Sequence, residues 1–387
     1  MIVVGGGANG ASTAYHLAAR GVRRVLLLER RHLGAGATGK SGSLVRMHYT
    51  NEAESRLAFE SLKIFREFRN IVGGDCGFEP IGFLQMVAPG FEAALERNVA
   101  RQQRLGIGTQ VVSRDRVRDL LPGSRVDDIG AAAWEPESGY ADPAGTIEGF
   151  RRRASELGAR ILQWTPVRKI LRRESRVTGV ETSAGRIDAG AVVVAAGAWA
   201  PRLCRELGLE LPARVKGLDT VQVERPRALT EPHVIFIDNV LGTYFRPESS
   251  IRTVVGVPCQ EWDLDPDAPM VLAPGAAAIG AQILTHRIPA MEGATLARGY
   301  RAVDCYSRDR HAILGRVDGI DGLYLATAFS GAGFKISPAV GVCMAELILD
   351  GRAKTVDIAA FGLKRFAEGK SPEGPYPYAP RRDHTDR

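Results

Sequence analysis

An α/β protein with an inserted α+β part is what this sequence predicts, and three observations predict it. A glycine-rich turn joins the first strand to a helix in "VVGGGANGASTAYHLAARG", residues 3–21. A second apolar strand runs into glycine at Val192–Ala196, within "VVVAAGAWA". A third meets another glycine turn and helix near the end, in "LYLATAFSGAGFKISPAVG", residues 323–341. Proline-broken, antiparallel-looking material lies between them, so the parallel-sheet domain is expected to be assembled from separated pieces around a second, mixed-sheet domain inserted twice.

The first turn carries the most chemistry. "IVV" at 2–4 is a short buried strand. Gly5, Gly7 and Gly10 follow in G-x-G-x-x-G spacing, and Ala11, Ala14, Leu17 and Ala18 recur at helical spacing until Gly21. "RVLLLER" is a second buried strand that ends at Glu29. Gly5 makes the tight turn, Gly7 lets the backbone approach a pyrophosphate, and Gly10 lets helix and strand pack closely. The helix N-terminus faces the phosphates. Glu29 is placed to accept ribose hydroxyls, which suits NAD or FAD rather than NADP. This end therefore reads as a Rossmann-like dinucleotide-binding unit.

Further along, "EAESRLAFESLKIFREFRNIVG" from 52 reads as one amphipathic helix with Leu57, Leu62, Phe65 and Phe68 inward. Residues 78–140 alternate short strands with one helix at about 90–105. Asp142 and Pro143 suit the N-cap and first turn of the next helix. "SAGR" at 183–186 reads as a hairpin turn, and 214–305 reads as strands broken by prolines.

Composition bounds the rest. The 387 residues leave room for two domains, and 45% hydrophobic content suits a globular core. The formal charge of +7 comes mainly from arginine, in runs such as "RRR" at 151–153, with no aromatic-interleaved basic stripe; no nucleic-acid partner is expected. Five cysteines without a CxxC argue against a disulfide framework and against a metal site, and fit a reducing, cytoplasmic compartment. The start "MIVVGGG" shows no secretory leader, and the longest apolar stretch, Ala189–Ala200, is too short to span a bilayer, so no membrane partner is expected. Residues 367–387, rich in proline and charge from Ser371 on, are expected to form a flexible tail.

Four segments taken together carry a resemblance: "VVGGGANGASTAYHLAARG" with "LLLER", "GATGKSGSLVR", "VVVAAGAWAPRL", and "DRHAILGRVDGIDGLYLATAFSGAGFKISPAVG". Over roughly residues 2–366 the chain resembles the FAD-dependent D-amino-acid oxidase superfamily, in particular its sarcosine oxidase, dimethylglycine dehydrogenase and glycine oxidase branch. The resemblance implies an FAD-binding domain from 1–75, 141–213 and 306–366, and a substrate domain from 76–140 and 214–305. The first turn would then hold the FAD pyrophosphate, and the late turn would lie under the isoalloxazine ring. Cofactor contacts are expected from Gly5, Gly7, Ala8, Asn9, Gly10, Glu29, Arg30, Thr38, Ser41, Gly42, Ser43, Val167, Ala196, Gly197, Trp199, Gly331, Gly333, Phe334 and Lys335.

In the sarcosine oxidase branch the lysine of the "GFK" motif binds the substrate carboxylate, and Lys335 stands at that place. Arg46 is the expected assisting cation, with a phosphate or salt-bridge role as its alternative. His48 and Tyr244 are expected at the pocket wall, and each also suits plain packing. His311 falls near the flavin approach, with no base role assigned. Where the branch attaches flavin through a cysteine, this chain has Ala302, with Cys305 three residues nearer the "YSRD" segment; non-covalent FAD is therefore expected. Arg308 replaces the usual proline of that segment.

The implied reaction is oxidation of the C–N bond of a small amino acid or N-methylated amine by hydride transfer to flavin N5, followed by hydrolysis of the imine. Three other readings stand beside it: a flavin-binding subunit of a hetero-oligomeric oxidase, a 2-hydroxy acid or polyol phosphate dehydrogenase on the same fold, and a plain NAD-binding regulator. A homo-oligomer is compatible with each.

Overall fold

The computed structural model describes residues 1–229 and 231–378. The part of the expected tail from 379 to 387 lies outside the described residues.

A six-stranded sheet runs in the order 313–316, 323–327, 192–194, 2–4, 26–28, 160–162. All neighbours are parallel except the first pair. The two faces sort by alternate residues. Val3, Leu27 and Val193 point toward the helices Ala8–Ala19, Glu52–Arg66, Pro143–Glu156 and Gly333–Asp350. Ile2, Val4, Leu28, Val192 and Val194 point into a second cluster with Ile170, Val177 and Val180 of a three-stranded antiparallel sheet. Burial on both faces explains why these strands read as unbroken apolar runs.

Local signals hold up in detail. Asp142 caps its helix, its carboxylate accepting from the Ala144 and Gly145 amides with Pro143 in the first turn. Asn51 caps the helix Glu52–Arg66 by accepting from the Glu54 amide. That helix is shorter than expected: it stops at Glu67, and Phe68–Ile71 forms a separate turn. A short additional helix, Arg114–Leu120, is capped by Ser113.

The second sheet has eight strands in the order 295–307, 213–224, 252–257, 243–248, 235–238, 83–87, 131–135, 110–112. It joins two distant stretches of chain through a parallel pairing of 83–87 with 235–238; its other pairs are antiparallel. Within the region expected to be all strand, Ala276–Arg287 is a helix. It packs close to the sheet at Gly280, which lies against Val221 and Val257. Its last residue, Arg287, is fully buried between Asp238 and Asp128, at 2.7 and 2.8 Å. Among the described residues no helix is long and apolar enough to cross a membrane.

Candidate active site

The two glycine turns meet. Asn9 Nδ2, in the first turn of the opening helix, donates to the Gly333 carbonyl at 3.1 Å. Deeper along the same pair of helices, Ser12 Oγ donates to the Pro338 carbonyl at 3.4 Å. The opening lies beside a cavity of about 1580 Å³, lined by both turns and by strands of the eight-stranded sheet.

At the dinucleotide end, Gly5 has φ +108°, and a Cβ there would sit 2.3 Å from the Ala195 carbonyl oxygen. Only glycine serves that turn. Gly7 is the N-cap, with no side chain capping it and no acidic residue in the first turn, so the positive end of the helix is kept for an outside anion. Thr38 Oγ1 accepts from the Ala8 amide at 3.2 Å. Glu29 is held rigidly at the end of its strand: its carboxylate accepts from the Gly6 and Arg31 amides, both at 2.8 Å. Asn9 Oδ1 and Ser43 Oγ are buried without a hydrogen-bond partner among the described residues. Orphaned buried polar atoms are costly and rare unless a ligand satisfies them. Together these features fit a bound dinucleotide.

Arg30 faces the Trp199 ring at 4.7 Å and pairs with Asp267 at 2.5 Å. Trp199 Nε1 donates to the same carboxylate at 2.8 Å, and Arg202 also pairs with it. Against the opposing effect of burial, these bonds hold the Asp267 carboxyl down at about 2. Ser41, Gly42, Val167, Ala196 and Gly197 also line the cavity; Gly10 does not, and packs against Gly5 instead.

Gly331, Gly333, Phe334 and Lys335 line the cavity from the late turn. Asp304 supports that turn, its Oδ2 accepting from the Gly331 amide at 2.8 Å. Lys335 is 8% exposed, and its Nζ donates to the Gly331 carbonyl at 3.2 Å. Arg46 lines the same cavity between the Tyr49 and Phe83 rings, 4.4 and 5.6 Å away, and donates to the His48 carbonyl. Its Nε has no partner among the described residues. Behind it, Glu135 is fully buried and accepts from the Met47 amide at 2.9 Å and Ser138 Oγ at 2.6 Å. Burial raises its carboxyl, and those bonds and the Arg46 charge only partly offset this.

His48 is 2% exposed and meets the Tyr378 hydroxyl at 2.6 Å. Burial, reinforced by the Arg46 charge, pushes its ring down to about 3, so it is neutral at neutral pH. The Tyr244 ring spans the cavity wall between Gly42 and Gly256, where a Cβ would come within 2.5 and 2.2 Å of it. Burial raises its phenol. His311 lines the cavity with Nδ1 3.0 Å from Glu54 Oε1. Cys305 is fully buried in the core cluster beneath the six-stranded sheet and does not line the cavity; burial pushes its thiol up. No group of three or more candidate metal ligands occurs among the described residues.

Sequence reasoning missed Asp267, Glu135, Glu54 and Tyr378. Each acts through a partner far away in the chain, and Tyr378 falls in the stretch expected to be a flexible tail.

Comparison with known proteins places the whole arrangement. The family model described as FAD dependent oxidoreductase matches residues 1–347. The 4-methylaminobutanoate oxidase (formaldehyde-forming) of Paenarthrobacter nicotinovorans is 26% identical over 95% of this chain, which spans only 45% of that protein. The sarcosine oxidase subunit beta of Rhodobacter capsulatus is 25% identical over 96% of this chain and 89% of its own. The crystal structure of L-proline dehydrogenase from P. horikoshii superposes with a TM-score of 0.87 at 26% identity, covering 96% of this chain and 98% of that one. A dinucleotide turn, a late glycine turn joined to it, and this match over most of the chain make the protein a member of the DAO family of FAD-dependent oxidoreductases.

Proposed function

We propose that this enzyme oxidises the C–N bond of a small amino acid or N-methylated amino acid, and that Lys335 and Arg46 anchor the substrate carboxylate. One observation carries this reading: two largely buried cations line the cavity that also contains the dinucleotide turn. A charge-assisted hydrogen bond contributes about 1.5–3 kcal/mol, so two of them hold a carboxylate firmly. When bound, FAD supplies the two-electron acceptor. The chain itself binds and orients. Tyr244 and Phe334 wall the site, and the anchored carboxylate fixes where the carbon beside the nitrogen lies. The amine must react unprotonated, and each unit by which its pKa has to fall costs about 1.4 kcal/mol. A neutral His48 adds no positive charge to the two cations already there. The resulting imine is released to hydrolysis.

In this reading the six-stranded sheet and its helices form the cofactor domain, and the eight-stranded sheet forms the substrate domain. Non-covalent FAD is part of this reading, since Cys305, the cysteine nearest the branch's attachment position, is sealed in the core. The five free cysteines suit a reducing compartment. Similarity to a sarcosine oxidase beta subunit supports a second reading, in which this chain is one subunit of a hetero-oligomer. The test is anaerobic titration of the purified holoenzyme with N-methyl, D- and cyclic amino acids, together with its native mass. Bleaching of the flavin band by an amino acid supports the proposal. Bleaching by 2-hydroxy acids alone sinks it.

A further inference from the structure

Where a loose tail is expected, residues 371–378 are seated against the cavity. Ser371 Oγ donates to Asp309 at 3.3 Å. Gly374 lies so close to Thr50 that a Cβ would come within 1.8 Å of its carbonyl oxygen. The Tyr376 carbonyl accepts from Asn98 Nδ2 at 2.8 Å, and the Tyr376 ring lies 5.1 Å from the Arg97 guanidinium. Tyr378 Oη accepts from Asn98 Nδ2 at 2.9 Å and meets His48 Nε2 at 2.6 Å. Its ring stacks on His48, centroids 5.8 Å apart, and packs against the Val87, Leu95, Val99 and Ala133 cluster.

The proton arrangement follows. An amide nitrogen only donates, so the phenol oxygen accepts from Asn98, and the tautomer of His48 sets which partner gives the hydrogen between Tyr378 Oη and His48 Nε2. Both of Tyr378's bonds therefore go to buried partners: Asn98 and His48 are at most 2% exposed. A ring fixed by two such bonds and an aromatic stack has little freedom to swing. Tyr378, Pro377, Gly374 and Glu373 all line the cavity that Arg46 and His48 line.

We propose that residues 373–378 form a fixed wall of the substrate compartment, and that Tyr378 is a specificity-determining residue whose ring sets how large a group fits beside the carboxylate held at Arg46. This rests on the function proposed above. The bonds to His48 and Asn98 position the ring, and the ring excludes bulk.

The test uses the full-length, FAD-loaded protein and non-reactive carboxylates of increasing size, from acetate to benzoate, with Kd read from perturbation of the flavin spectrum. The same size series is then run with amino acids that bleach the flavin. Tyr378→Ala is expected to shift the benzoate-to-acetate affinity ratio toward benzoate by about tenfold, the scale on which a pocket discriminates by size. Gly374→Val, which forces the segment off Thr50, is expected to shift it in the same direction while leaving Tyr378 in the chain. Tyr378→Phe keeps the ring, and its ratio is expected to stay within about threefold of the parent. If the parent responds to carboxylates and both Tyr378→Ala and Gly374→Val leave the ratio unchanged, the wall is overturned while the function stands. If the parent responds to no carboxylate and no amino acid, the function proposal falls and the wall falls with it. Equal shifts in Tyr378→Phe and Tyr378→Ala overturn the assignment to ring bulk.

Discussion

Lys335 and Arg46 reach the same cavity from opposite ends of the chain, one on the late helix and one just after a two-residue strand. In the proposed reading, replacing Lys335 by Met removes one charge-assisted bond to the substrate carboxylate, about 1.5–3 kcal/mol. At about 1.4 kcal/mol per decade, kcat/KM for a carboxylate-bearing substrate is expected to fall roughly 10- to 150-fold. Steady-state kinetics beside a visible spectrum checks this, since an undiminished flavin band separates lost substrate binding from lost cofactor. Each cation sits in a short segment whose neighbours mark it in the sequence, and both line the cavity. Their supports are not marked in this way. Glu135 lies behind Arg46 from 89 positions away, and Asp304 reaches the Gly331 amide across 27. A carboxylate in an ordinary strand carries no local mark of such a partner.

The elements themselves were read well wherever a local signal existed. The unbroken apolar run Ile2–Val4, buried on both faces, and the Asp142 cap are each written in a few adjacent residues. Asp142→Ala leaves the Ala144 and Gly145 amides unsatisfied and is expected to cost about 1 kcal/mol, read as a lower denaturant midpoint. The helix Ala276–Arg287 was missed because alanine, glycine and isoleucine at those positions give little amphipathic contrast; the small residues are there so that the helix can approach Val221 and Val257. Its fixing point is Arg287, which joins the helix to the strand Ile235–Asp238 and to Asp128. Arg287→Met leaves the fully buried Asp238 without its counter-charge. A loss of about 3–5 kcal/mol is expected, the range for breaking a buried pair from one side. An unchanged midpoint for this variant would show that the pair adds nothing to holding the helix.

Among the described residues, three histidines are held neutral, His48 buried and His16 and His233 half-buried. Burial pushes His16 and His233 down to about 4 and His48 to about 3, from an ordinary 6.5. The sign follows from proton counting. Below 6.5 the unfolded chain takes up protons that the folded chain refuses, so stability falls as the pH drops. The loss runs from 6.5 down to about 4 for two of them and to about 3 for the third. Each contributes about 1.4 kcal/mol per pH unit well inside its window. Thermal midpoints measured from pH 7 to pH 4.5 are expected to fall steadily, and substituting His233 by Gln should flatten the slope. A slope that this substitution leaves unaltered would remove His233 from the account.

In the proposed reaction an amino acid, held by its carboxylate, is the direct reductant of the flavin. This is tested most directly by the visible spectrum of the FAD-loaded protein, followed without oxygen as amino acids and then 2-hydroxy acids are added. The flavin band is expected to bleach with an amino acid, and the same amino acid is expected to reduce the Lys335→Met variant far more slowly. A band that persists through the amino acids and bleaches with a 2-hydroxy acid would contradict this reading.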